Sequence, residues 1–446
     1  MENEVKEVEE MAEVEKTEEK SHHHHHHSHH HSHHHHKSSK KKKKFSLKRF
    51  VRKHKTACRV AVLVLVLVLT VTATVLVIKQ MDKAAQDGTP TVNKPTTAPQ
   101  IPAGQVAVSV TRFDGPVMLH HDVTQAYLNT IVSVSPEEIL GEYRQMDVRL
   151  DQGQPVELAF DVLGIAEGCN ITGARVEITQ QGQSQPVFHK DCGAGENRVL
   201  VYNLKTSASY RYSIRVDFTT MNSITVTGSF ETAAGPRLIR VDGAANVRDF
   251  GGWKTAAGKQ INQGLLFRGS ELDGVVETKF NLTEIGKQTL VNELGIKMEL
   301  DLRQTSERSD VDRLGSAVKC PDPYNAPFFA GAFESDKTDS VCRVFKDLAN
   351  PENYPIYMHC TFGRDRTGTV CLILGAVLGM EEEDLLHEYG LSALYYSDAD
   401  YSNARAVLDG LKAYGGDSLE QQAENYLLDI GVTAEEIASL RQIYLG

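Results

Sequence analysis

Beyond residue 106 the 446-residue sequence has no basic stripe interleaved with aromatics, which argues against nucleic-acid binding. Its net charge of −11 is spread along the chain rather than gathered on one domain. Residues 1–55 have no candidate core. A Glu-rich block (Glu2 to Glu19) passes into a His-rich block (His22 to His36) and then a Lys block (Lys40 to Lys44). Such blocks bury too little apolar surface to offset ordering entropy, so a disordered segment is expected. The His block admits three readings: an appended tag, a weak metal-binding tract or a solvated low-complexity segment. Ser28 and Ser32 interrupt it and favour a native segment. It has no fixed ligand set of the kind a catalytic metal needs.

Residues 60–78, "VAVLVLVLVLTVTATVLVI", carry no charge. A helix of this length is about 28 Å long, close to the ~30 Å hydrocarbon core of a bilayer. Lys48, Arg49, Arg52, Lys53, Lys55 and Arg59 precede it, and only Lys79 and Lys83 follow closely. The positive-inside rule then predicts a single-pass anchor over 56–80, with a cytoplasmic N-terminus and an extracytoplasmic remainder. A cleaved signal peptide competes, but its n-region would be long and no A-x-A site follows. Residues 81–103 are rich in Pro, Thr and Ala and read as an extended linker.

Residues 104–235 show short alternating stretches such as "PVELAFDVLG", "GARVEITQQ" and "SITVTGSFET", punctuated by Gly, Asn, Ser or Asp. The spacing predicts an all-β sandwich. No nucleophile–base arrangement occurs there, so a spacer or a module for a surface partner is expected. Cys169 and Cys192 are either a disulfide or two buried thiols.

From residue 236 the pattern becomes α/β. "GIKMELDLR" (295–303) and "PIYMHC" (355–360) read as buried strands, and "TGTVCLILGAVLGM" (367–380) as a buried helix. Cys360 is therefore placed at the carboxyl end of a strand, where open α/β sheets bind ligands. The loop Thr361, Phe362, Gly363, Arg364, Asp365, Arg366 follows it. Gly363 permits a tight turn, and the helix N-terminus with consecutive amides forms an anion cradle. Arg366 offers a fork for two phosphate oxygens. The same positive field favours a Cys360 thiolate, a nucleophile aimed at phosphorus. Thr367 is placed to donate to that thiolate, and His359 to hold the loop. This chemistry needs no metal and no cofactor.

"HCTFGRDRTG" (359–368), between an apolar strand and an apolar helix, resembles the signature of the cysteine-dependent protein tyrosine phosphatase superfamily. "DGAANVRDFGGW" (242–253), "LLFRGSEL" (265–272) and "LDLRQTSER" (300–308) resemble, in the same order, the bacterial tyrosine phosphatase branch related to dual-specificity and phosphoinositide phosphatases. "ENYLLDIGVTAEEIASLRQIYLG" (424–446) is similar to its closing helices. The resemblance covers 236–446 and implies a mostly parallel sheet flanked by helices. In the middle region, "YNLKTSASYRYSIRVDF" (202–218) resembles the late strands of a fibronectin type III domain. Arg364 stands where that phosphatase branch usually has Lys.

The implied activity is hydrolysis of protein phosphotyrosine, with dual specificity in reach, through a phosphocysteine. Phosphoinositides or inositol phosphates are the alternative substrates, and an inert phosphate-ester reader is the alternative without turnover. The leaving group needs a proton. Asp365 matches the family loop, Asp322 in "KCPDPYNAP" lies on a candidate mobile loop, and both stay open. Asp301 is a third candidate, better explained as a brace for an arginine such as Arg303. Arg248 and Asp249 read as structural.

Overall fold

The computed structural model describes residues 105–132, 140, 149–396 and 399–446. The expected disordered segment, anchor and linker (1–103) lie outside the described residues. Among those described, no helix is long and apolar enough to cross a membrane.

Seven antiparallel strands follow from the alternating stretches: β1 (Ala107–Val110), β2 (Val156–Leu163), β3 (Ile171–Gln180), β4 (Phe188–Gly193), β5 (Arg198–Val201), β6 (Ser209–Phe218) and β7 (Ile224–Glu231). They form a three-stranded sheet, β1-β2-β5, and a four-stranded sheet, β4-β3-β6-β7. Alternation sends one side chain in two inward. Tyr210, Ile214 and Val216 of β6 are buried with Val156, Leu158 and Phe160 of β2 in one core. Cys169 and Cys192 are free thiols, so the disulfide alternative does not hold in this structure.

The connection from β1 to β2 does not stay with this sandwich. It carries a short helix, α1 (Asp122–Leu128), and its Val123, Tyr127 and Leu150 join the core of the following α/β part. Tyr127 donates to the carbonyl oxygen of His387 at 3.1 Å and lies 2.7 Å from the Tyr401 hydroxyl. The described residues accordingly belong to one compact unit.

In the α/β part, β8 (Arg248–Asp249), β9 (Leu266–Gly269), β10 (Met298–Asp301) and β11 (Ile356–His359) form a sheet of order β10-β11-β9-β8. The first three are mutually parallel, and β8 runs antiparallel to β9. Asp301, His359 and Gly269 stand in register, so three strands end at one edge. The helices include α2 (Glu284–Gln288), α3 (Thr338–Leu348), α4 (Asp365–Val377), α5 (Glu382–Gly390), α6 (Tyr401–Lys412), α7 (Leu419–Asp429) and α8 (Ala434–Leu445). Residues 366–377 of α4 are buried on every face, as the unbroken apolar run requires. The helix α8 starts on a capping box in which Thr433 and Glu436 bond each other's backbone amides.

Candidate active site

Cys360 follows β11 directly, and α4 begins at Asp365, so local chain geometry leaves only the four residues 361–364 between the thiol and the helix N-terminus. Gly363 has φ +65°, and a Cβ there would lie 2.1 Å from the carbonyl oxygen of Gly269. Only glycine fits so close a crossing of two backbones.

The loop is gripped by its carbonyls. That of Thr361 accepts the Glu271 amide at 3.0 Å. Those of Phe362 and Gly363 accept Asn246 Nδ2 at 3.2 and 3.3 Å. Arg268 Nη2 donates to the Gly363 and Arg364 carbonyls at 2.7 and 3.3 Å. Because N–H and C=O point in opposite directions across a planar peptide, the amides of residues 362–365 are turned away from this scaffold. Together with the start of α4 they form a cradle for an anion.

Beneath the loop, Glu388 receives Arg248 Nε at 2.8 Å and Arg268 Nη1 at 2.6 Å, all three residues being buried. Arg248 Nη1 also donates to Asn246 Oδ1 at 2.6 Å. Asp249 accepts Arg237 and the amides of Gly251 and Gly264. Both Arg248 and Asp249 thus serve packing rather than chemistry. Truncating Glu388 leaves two guanidiniums buried without their carboxylate, which typically costs about 3–5 kcal/mol. Glu388→Ala is expected to lower the unfolding free energy by that amount, read as a lower urea midpoint at unchanged slope; a loss under about 1 kcal/mol, the size of an ordinary substitution, contradicts the account.

Cys360 is 2% exposed. Burial pushes its thiol up, but the Arg366 charge and the hydroxyl and amide of Thr367 outweigh it, holding the thiol below its ordinary value. The Thr367 hydroxyl has no other hydrogen-bond partner among the described residues. Arg366 presents Nη1 and Nη2 to the Glu307 carboxylate at 2.5 and 2.9 Å, with Thr361 Oγ1 at 3.3 Å from Nη2. Its Nε is buried with no acceptor among the described residues, and Phe328 covers the guanidinium at 4.6 Å. A phosphoryl oxygen would satisfy that Nε–H.

His359 is fully buried between two acids. Nε2 lies 2.9 Å from Glu299 Oε1, and Nδ1 lies 3.1 Å from the Cys360 carbonyl and 4.0 Å from Asp301. Burial lowers its pKa, Asp301 and Glu299 raise it, and the net direction is upward. It is a strut for the strand end.

The three aspartates separate. Asp301 receives Arg303 Nε at 3.0 Å and Nη2 at 2.9 Å. Burial raises its pKa, but His359 and Arg303 bring it below the usual carboxylate range, so Asp301 is an anionic brace. Asp365 stands in the first turn of α4, paired with Arg364 Nε at 2.7 Å and Nη2 at 3.0 Å. Asp322 is exposed. Its loop is tied to the end of β10 by the amides of Tyr324, Asn325 and Ala326, but no hydrogen bond joins its carboxylate to the Cys360 loop among the described residues.

Sequence reasoning missed Glu307 and Asn246. Both stood inside quoted motifs, "LDLRQTSER" and "DGAANVRDFGGW", where their charge or amide was visible but their partner was not.

A thiolate-favouring cysteine under a helix N-terminus, with a guanidinium fork beside it, fits the class of hydrolases that pass a phosphoryl group through cysteine. Residues 239–446 match the model of a family described as the tyrosine phosphatase family. A tyrosine-protein phosphatase of Nostoc commune is 26% identical over 213 residues, covering 36% of this chain and 69% of its own length. A Cupriavidus necator chain, whose name proposes a tyrosine-protein phosphatase, is 25% identical over 181 residues, covering 35% of this chain and 63% of its own. The crystal structure of the core catalytic domain of PP-IP phosphatase SIW14 from S. cerevisiae, in complex with citrate, is 16% identical. It covers 33% of this chain and 90% of its own, at a TM-score of 0.22, too low to carry an argument. In its C-terminal part the chain is a protein-tyrosine-phosphatase-like hydrolase.

Proposed function

We propose that this chain is a phosphomonoesterase that hydrolyses phosphotyrosine in proteins through a phosphocysteine. The observation that carries the reading is the Cys360 thiol, held low beneath Arg366, Thr367 and a loop whose carbonyls from Thr361 to Arg364 are taken by the scaffold. Cys360 Sγ attacks phosphorus and displaces the phenolate. Arg366 and the loop amides stabilise the charge on the equatorial oxygens. Asp365 gives its proton to the leaving oxygen, then takes one from the water that cleaves the S–P bond. Thr367 donates to the sulfur as it departs.

An aromatic group beside the loop favours an aryl phosphate. Phe362 meets Tyr396 edge-on at 5.4 Å and Phe280 at 6.3 Å, and Tyr395 lies 5.8 Å from Phe280. A second reading, a phosphoinositide or inositol phosphate, is favoured by the cations on that group. The Arg364 guanidinium lies 5.6 Å from the Tyr396 ring and Lys279 Nζ 5.0 Å from Phe280. Phosphate release from a phosphotyrosine peptide, a phosphoserine peptide, inositol phosphates and phosphoinositide vesicles, with chelator present, tests both. Release from none of them would leave the inert phosphate-ester reader.

The acid has its own test. An aryl phosphate with a good leaving group hardly needs protonation, whereas an alkyl phosphate does. Asp365→Asn is therefore expected to lower kcat at least about 100-fold on phosphoserine peptide, within the usual range of general-acid catalysis, and far less on p-nitrophenyl phosphate. Asp322→Asn showing that split instead would transfer the role to Asp322.

The same proposal places the enzyme on a membrane by residues 56–80, with the site extracytoplasmic. The Lys/Arg excess before residue 60 supports this orientation. Protease added to intact cells should then remove residues 104–446; full protection refutes the orientation. A fibronectin type III-like reading of the β module is supported by its three- and four-stranded sheets and by the Tyr210 hydroxyl, which accepts the Lys205 amide at 2.9 Å. Such a module suits a surface partner.

A further inference from the structure

The match to known phosphatases begins at residue 239, yet the Cys360 loop is held in part from 95 residues upstream of Asn246. We propose that Asp151 and Arg149, in the β1–β2 connection, are positioning residues of the phosphatase site. Through them the β module sets the geometry of the phosphate-binding loop. The inference rests on the reading of that loop as the phosphate site.

Asn246 is the hinge of the argument. It is buried and adopts φ +57°, a left-handed conformation that asparagine tolerates but does not hold without support. Its backbone amide donates to Asp151 Oδ2 at 2.8 Å. Its side-chain amide is the donor to the Phe362 and Gly363 carbonyls. Asp151 therefore fixes the backbone of the residue that turns the loop amides.

Asp151 is itself immobilised. Arg149 Nε and Nη2 take both its oxygens, at 2.8 and 2.9 Å, a bidentate fork that leaves one geometry. Arg149 Nη2 also donates to the Ala244 carbonyl at 3.4 Å. The guanidinium then lies 4.8 Å over the Tyr395 ring. Tyr395 packs on Tyr396 at 4.7 Å, and Tyr396 on the Phe362 side chain. The same ion pair thus reaches the loop twice, at its carbonyls through Asn246 and at its side chain through the tyrosines. Neither Arg149 nor Asp151 is among the side chains that fill the sandwich core.

Docking alone is the competing explanation, and Tyr127 supplies the control, because it ties the same connection to α5 and α6 without touching the loop. The full chain would be compared as wild type, Asp151→Ala, Asp151→Asn and Tyr127→Phe. The readouts are kcat, KM, the unfolding midpoint and the pH dependence of Cys360 alkylation by iodoacetamide, read on its own peptide by mass spectrometry. Asp151→Ala is expected to lower kcat/KM at least about tenfold, since small misplacements of reacting groups cost that much or more. It should also move Cys360 alkylation to higher pH, because loop amides no longer face the sulfur. Asp151→Asn keeps an acceptor for the Asn246 amide and should recover part of both. Tyr127→Phe should lower the midpoint without moving the alkylation curve. If Asp151→Ala fails to fold, Asp151→Asn decides. Wild-type-like alkylation and kcat/KM in the Asp151 variants, or parallel shifts in Tyr127→Phe, would overturn the proposal. Absence of Cys360-dependent turnover in the wild type would defeat the phosphatase reading instead, while the alkylation curves would still report the coupling.

Discussion

Cys360→Ser is expected to abolish phosphate release, by at least about 10⁴-fold, the scale seen when an enzyme loses its nucleophile. A serine hydroxyl at this position is a far weaker nucleophile than a thiolate. His359, the nearest imidazole in sequence, is committed to Glu299 and the Cys360 carbonyl. Binding should survive, because Arg366, the loop amides and the aromatic group are untouched. The variant is therefore expected to retain phosphopeptide with an affinity near that of wild type, measured by calorimetry. Turnover above about 1% of wild type would remove Cys360 as the nucleophile, on the same 10⁴-fold scale. Loss of binding together with turnover would show that the sulfur is needed to form the cradle itself.

Arg366 should give the next largest effect. In the proposed reaction its guanidinium serves charge on the transferring phosphoryl group, and loss of one such preorganised donor costs about 10²–10³ in kcat. Arg366→Met is expected at or beyond the upper end, and Arg366→Lys near the lower, since a point charge cannot replace two parallel hydrogen bonds. The thiol responds as well. The Arg366 charge favours the thiolate and so lowers the Cys360 pKa. Removing it raises that pKa, so the acid limb of kcat/KM and the alkylation curve of Cys360 both move to higher pH. At a fixed pH below the wild-type midpoint, alkylation must slow. An unmoved curve would mean that Thr367 and the helix N-terminus set the thiolate alone. The thiol's lowered pKa also stabilises the fold above the unfolded thiol's pKa, a contribution lost as pH falls through the folded value.

Glu307 shows why part of this site was out of reach. Its charge was visible in "LDLRQTSER", but its role depends on Arg366 standing 59 residues away in sequence and against it in space. Asp301 was readable as a brace because its arginine is two residues on. The short helix Asp122–Leu128 escaped an all-β reading of 104–235 because seven residues give little periodicity, and what fixes it is burial of Tyr127 against α5 and α6.

By itself the sequence determined where Cys360 and its loop stand. Strand, cysteine, glycine turn, arginine and helix are contiguous, so chain geometry alone brings thiol, amides and guanidinium together. It likewise determined the sandwich strands, whose two-residue alternation is a local signal. Only the tertiary structure decided which carboxylate meets which cation. An aspartate is silent until its cation is known, and here Asp301 is spent on Arg303 while Asp365 lies against Arg364 at the loop. The tertiary structure also decided that Arg149 and Asp151 lie against the catalytic core. Their partner amide is brought to them by the packing of one module on another, which no local pattern encodes.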